Sequence, residues 1–174
     1  GIQGDGETIL PALLTRISQG QRPDPTEFDH HVTSPPRPAS LRRFVDNFRY
    51  FTVGGQGGVE TKRGCNRPCI YCADPVAKGR HLRLRRPRDV ANEIQALVNQ
   101  KVNVLHTCDA EFNIPPSHAL AVCQEIVQQN LHNAIQWYAY CTVERFDNTL
   151  ADAMRRAGCV GINCGVDAIN DEML

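Results

Sequence analysis

The chain carries no surplus charge. Nineteen Lys and Arg balance nineteen Asp and Glu over 174 residues, so no global field draws it to nucleic acid or an anionic membrane. No stretch reaches the ~18 consecutive apolar residues that a bilayer span needs, and none reads as a secretory signal. Neither a membrane nor a nucleic-acid partner is expected. The eight cysteines are even in number, but a chain this long and this helix-patterned is not a disulfide-stapled miniprotein. Reduced thiols point to a cytoplasmic location. An initiator Met is also missing, and the chain stops at Leu174 just as another helix begins. It reads as a piece of something larger.

A second Cys-x₂-Cys pair is lacking as well, and this gives the one clustered set its meaning. Cys65, Cys69 and Cys72 form Cys-x₃-Cys-x₂-Cys in KRGCNRPCIYCADP. Structural zinc takes four ligands, usually as two pairs. Iron–sulfur cubes are held by cysteine thiolates, normally four per cube. A cube held by these three would keep one open iron, a place for chemistry. The reading is a 4Fe-4S cluster, with a non-catalytic zinc module as the rival. The other cysteines, Cys108, Cys123, Cys141, Cys159 and Cys164, stand singly in apolar stretches and read as small core hydrophobes. Cys108 is set apart because it borders the candidate site.

Residues 7–19 carry an apolar helical stripe of Ile9, Leu10, Leu13, Leu14 and Ile17, with Gly20 as its stop. Five prolines among polar residues mark 21–40 as linker. From Gly58–Lys62 onward, strand and helix patterns alternate. Helices are expected over 88–100, 117–129 (Ser117 as N-cap) and 148–157. Strands are expected over 102–107, 135–142 and 160–164. That alternation implies βαβ units and a parallel sheet, and where such units form a barrel the active site gathers at the C-terminal strand ends. Polar groups follow each strand: the thiolate loop, then Asp109 and Glu111, then Glu144 and Arg145, then Asp167. Phe112 to Pro116 reads as a rigid turn.

The CxxxCxxC loop, with Tyr71 just before its third cysteine, resembles the signature of the radical S-adenosylmethionine (SAM) enzymes over about residues 51–174. The resemblance implies a partial parallel (βα) barrel with about four of six strands present. It implies a cluster whose open iron holds the methionine moiety of SAM, with electrons from a donor such as flavodoxin or ferredoxin. Carried over residue by residue, Glu111 or Asp109 would hold the SAM amino group, although Asp-Ala-Glu departs from the family's Gly-Gly-Glu. Asp167 and Arg145 would be further SAM contacts, and Tyr71 would lie beside the adenine. No catalytic side chain is assignable.

GDGETILPALL resembles the closing segment of the Rossmann-like cobalamin-binding domain that precedes the core in one subclass. The organisation implied is a remnant of that domain over 1–20, a proline-rich linker over 21–50 and the core over 51–174. The cofactors implied are the cluster, SAM and cobalamin. The reaction implied is methyl transfer to an unactivated carbon or phosphorus centre of a small-molecule substrate. The alternative is a cobalamin-independent tRNA-modifying enzyme of the methylthiotransferase type. Its motive is the run KGRHLRLRRPR at 78–88, which otherwise reads as a solvated connection or a grip for an anionic substrate.

Overall fold

The computed structural model describes residues 3, 4, 6–22, 29, 30 and 39–165. In chain order the elements are β1 (Gln3–Gly4), α1 (Gly6–Ser18), β2 (Asp29–His30), a 3₁₀ turn (Ala39–Phe44) and α2 (Asn47–Thr52). Next come β3 (Gly57–Val59), β4 (Lys62–Arg63), α3 (Asp74–Ala77), β5 (Arg83–Leu84), α4 (Pro87–Asn99) and β6 (Val104–Thr107). The last are α5 (Pro116–Gln128), a 3₁₀ turn (Leu131–Asn133), β7 (Gln136–Tyr140), α6 (Asn148–Arg156) and β8 (Cys159–Asn163). They fall into two units, residues 1–37 with 62–85, and residues 38–61 with 86–174.

The larger unit is the expected α/β layer. Its four strands run parallel in the order β3-β6-β7-β8, with Gly58 opposite His106, His106 opposite Tyr138, and Tyr138 opposite Gly161. Helices α4, α5 and α6 lie in the crossovers, as parallel strands require. Strand alternation sends Val59, Leu105, Trp137 and Ala139 into the core. Helical periodicity sends Val90, Ile94 and Leu97 of α4, Val122 and Ile126 of α5, and Leu150 and Met154 of α6 against them. Phe112 closes this layer edge-on against Trp137, ring centroids 5.1 Å apart at 62°, and the indole N–H donates to the Ala157 carbonyl at 2.9 Å. On the other face of the strands, His106 meets Tyr140 at 5.2 Å.

The end of the 21–50 stretch is structured: the 3₁₀ turn and α2 lie in it or across its boundary. Arg42 in that turn holds the layer from the side. Its Nε donates to Glu93 Oε1 at 2.8 Å, and its Nη2 reaches Glu93 and the carbonyl of Gly58. An acceptor on β3, the end strand of the sheet order, is thereby occupied.

The smaller unit holds two short pairings. β1 pairs in parallel with β2, and β4 pairs antiparallel with β5, Lys62 opposite Leu84 and Arg63 opposite Arg83. The helical stripe of α1 is present, but only Ile9 is buried; Leu10, Leu14 and Ile17 are exposed.

Four expectations change. The strand expected over 58–62 splits: β3 stops at Val59, and the chain turns off into β4 to pair with β5. Helix α5 starts one residue early, at Pro116, with no side-chain cap, so Ser117 is not its N-cap. A proline at the first helical position needs no N–H partner and already has the helical φ. The arginine run is not a solvated connection throughout: Arg83 and Arg85 are buried, with Leu84 exposed between them. In an extended segment neighbouring side chains point to opposite sides. Among the single cysteines Cys123 and Cys141 are buried as expected, but Cys108 and Cys164 are exposed. Burial, with Cys159 and Cys141 nearby, pushes the Cys123 thiol up from 9.0 to about 12.

Candidate cofactor site

The cysteine loop lies in the smaller unit, between β4 and α3. Gly64 opens it with φ +98°, and a Cβ there would meet the carbonyl oxygen of His81 at 2.2 Å. Only glycine fits such a conformation beside a backbone oxygen. The next residue, Cys65, is buried and donates its N–H to Gly79 O at 3.0 Å. The loop is thereby tied to the residues before β5. Cys72 donates its N–H to Cys69 O at 3.4 Å, and its Sγ accepts the Asp74 N–H at 3.4 Å. Lys78 bonds Asp74 at 3.0 Å, and Arg83 donates to the Lys78 carbonyl.

The segment that carries these thiols is one-sided in its sequence charge. Residues 62–85 hold Lys62, Arg63, Arg67, Lys78, Arg80, Arg83 and Arg85 against Asp74 alone, seven cations to one acid. Lys62, Arg63, Arg83 and Arg85 are buried. Such a segment favours an anionic guest, and a cube held by three thiolates that binds a carboxylate is anionic. All three cysteines are free thiols. Among the described residues no group of three or more His, Cys, Asp or Glu is gathered for a metal ion. The donor set, three soft thiols in eight residues of one loop, fits an iron–sulfur cluster by its chemistry. Tyr71 stands exposed beside Cys72.

The larger unit supplies the acidic strand ends. After β6, Cys108 continues the ladder by donating its N–H to Val59 O at 2.8 Å. Asp109 is buried, and Thr61 donates to both of its carboxylate oxygens, from N at 2.8 Å and from Oγ1 at 2.5 Å. Glu111 is half-buried. The 112–116 turn is pinned at its start: Phe112 donates its N–H to Tyr140 O at 2.7 Å. Asn113 bonds Thr142 O at 2.9 Å, Glu144 O at 3.0 Å and Thr142 N at 3.0 Å. This joins the loops after β6 and β7. Arg145 is exposed, with φ +55°. Asp147, two residues on, accepts the Leu150 N–H at 2.8 Å and caps α6. Asp167 lies outside the described residues. Thr61 and His118 carried no signal in the sequence, yet Thr61 O bonds His118 Nε2 at 3.1 Å. No helix among the described residues is long and apolar enough to cross a membrane.

A family model described as the radical SAM superfamily matches residues 59–174. The chain belongs to the radical SAM superfamily. It is 38% identical over 136 residues to the tryptophan 2-C-methyltransferase of Streptomyces laurentii, covering 75% of this chain and 23% of that protein. It is 33% identical over 93 residues to a tRNA-2-methylthio-N(6)-dimethylallyladenosine synthase of Rhodococcus jostii, covering 53% of this chain and 16% of that one. Among solved structures it resembles the radical S-adenosylmethionine methyltransferase TsrM of Kitasatospora setae, which has cobalamin and a 4Fe-4S cluster bound. That likeness has a TM-score of 0.83 at 32% identity, over 99% of this chain and 39% of the other. The radical SAM chain thus spans a minor part of the relatives it matches. Its four-stranded parallel sheet is the fold of that structure.

Proposed function

We propose that the chain is the cluster-bearing part of a cobalamin-dependent radical SAM methyltransferase that modifies a small molecule at an unactivated carbon or phosphorus centre. The observation that carries this is the thiol loop of Cys65, Cys69 and Cys72 in a segment of seven cations and one acid. It is joined by the likeness to a tryptophan methyltransferase along 75% of the chain. The chemistry such a cluster supplies when bound is one-electron delivery to a SAM held at its open iron.

The chain's own residues have simpler tasks. Cys65, Cys69 and Cys72 hold the three protein-bound irons. The buried Lys62, Arg63, Arg83 and Arg85 lower the cost of placing that anionic group out of water. Glu111 and Arg145 are the SAM contacts in this reading: a carboxylate for the ammonium and a guanidinium for the carboxylate. Tyr71 offers an exposed ring to the adenine, and Asp167 is a further candidate. Cobalamin, held mainly by residues other than these, would relay the methyl group, and an external flavodoxin or ferredoxin would supply electrons.

The test uses the full-length protein, reconstituted anaerobically with iron, sulfide, cobalamin and methyl-labelled SAM, against a panel of indoles and phosphinates. Labelled product that requires both corrin and Cys72 supports the proposal. Product formed without corrin, or RNA co-purifying as the substrate, moves the chain to the methylthiotransferase reading. That reading loses ground on one point, since two of the five arginines in its motivating run, Arg83 and Arg85, are buried.

A further inference from the structure

Asp109 has a different occupation from the one its position suggests. Beyond Val59 the β3–β6 ladder makes one more rung, Cys108 N–H to Val59 O. The next rung is made by a side chain. Thr61 N–H donates to Asp109 Oδ1 at 2.8 Å, and Thr61 Oγ1–H donates to Oδ2 at 2.5 Å. The Thr61 carbonyl accepts from His118 on α5 at 3.1 Å, so Nε2 carries the hydrogen. All three polar groups of Thr61 are engaged, and Thr61, Asp109 and His118 are 1%, 4% and 7% exposed. Within five residues of Val59 the chain leaves the parallel sheet, enters β4 and reaches the left-handed Gly64. Thr61 is the last residue before that departure.

We propose that Asp109, Thr61 and His118 form a buried anchor that sets where the chain leaves the sheet for the cysteine loop, and that Asp109 is a positioning residue instead of a SAM ligand. This rests on the reading that the loop carries a cluster. The physical argument is that a carboxylate accepting two hydrogen bonds from one buried threonine is a strong, oriented clamp. A clamp on Thr61 removes freedom from the residues that follow it.

The test compares Asp109→Asn, Thr61→Val and Thr61→Ser in the full-length protein. Three readouts are taken: amide hydrogen exchange of residues 62–72 before cluster loading, SAM affinity after loading, and the change in the reduced-cluster EPR signal on adding SAM. Asp109→Asn keeps an oxygen for the Thr61 N–H but loses the charge and the acceptor of its hydroxyl hydrogen, so exchange speeds up about threefold while SAM affinity falls no further than that loosening accounts for. Thr61→Val loses the hydroxyl bond, speeds exchange about tenfold and shrinks the SAM-responsive part of the EPR signal. Thr61→Ser restores both. A tenfold loss of SAM affinity in Asp109→Asn with unchanged exchange makes Asp109 a ligand and overturns the anchor, as does unchanged exchange in Thr61→Val. If the parent takes up no iron, the proposed function fails, while exchange in the cluster-free protein still decides the anchor.

Discussion

Replacing Gly64 by alanine tests whether the cysteine loop has a single backbone solution. The glycine has φ +98°, and its added Cβ would stand 2.2 Å from His81 O, 3.0 Å from His81 C and 3.1 Å from Gly79 O. A positive φ costs an L-residue roughly 1–2 kcal/mol. The clash adds more, because the obstructing atoms are backbone and cannot swing aside as a side chain would. The carbonyl of His81 must retreat by about 1 Å to restore contact distance. Gly79 O also accepts the Cys65 N–H at 3.0 Å, so that retreat strains a bond worth about 1 kcal/mol. Together these come to about 3 kcal/mol, or roughly a hundredfold fall in the population of the native loop. Gly54→Ala is the control, since its φ is +93° with nothing within 4 Å of the added carbon. It should show the conformational cost alone, read in the exchange of its own turn, residues 50–56. The assay is hydrogen exchange of residues 62–72 together with iron retained per chain after anaerobic reconstitution. Gly64→Ala should exchange far faster than Gly54→Ala and retain little iron. Equal behaviour of the two variants would refute the steric argument.

Further outcomes follow from the core and the loops. Asn113→Ala removes three hydrogen bonds between the loops after β6 and β7 and should destabilise by about 2–3 kcal/mol in urea unfolding. Phe112→Ala empties a site 1% exposed against Trp137 and should cost about 3–5 kcal/mol in the same assay. The Cys123 thiol is raised from 9.0 to about 12, so the folded state keeps a proton that the unfolded chain releases. Its contribution is complete below pH 9.0 and is lost as pH rises toward about 12. The midpoint of urea unfolding should therefore fall across that window, and less steeply in Cys123→Ala.

Much of this molecule was legible before its coordinates. The apolar faces of α4, α5 and α6 follow a 3.6-residue period, and each packs where that period aims it. The Cys65, Cys69 and Cys72 spacing was legible because three cysteines within eight residues are a local pattern. The β4–β5 pairing was not, because a strand that buries Arg83 and exposes Leu84, with Arg85 buried just beyond its end, inverts the usual polar-out pattern. Pairing of that kind depends on burial of charge, and composition does not report it. The anchor of Thr61 was hidden for another reason. Its partners lie 48 and 57 residues away, and no periodicity links them. Asp109 is a candidate ligand by its place at a strand end, and only geometry shows that Thr61 donates to both of its carboxylate oxygens.

The central claim is a cluster held by three cysteines with one iron left for SAM. Its most direct measurement is the iron and sulfide content of the anaerobically reconstituted full-length protein, with the EPR spectrum of the reduced cluster taken with and without SAM. The account predicts about four irons per chain, a signal that changes when SAM is added, and loss of both in the Cys65→Ala, Cys69→Ala, Cys72→Ala triple variant. One equivalent of zinc without iron, or a cluster signal indifferent to SAM, would contradict it.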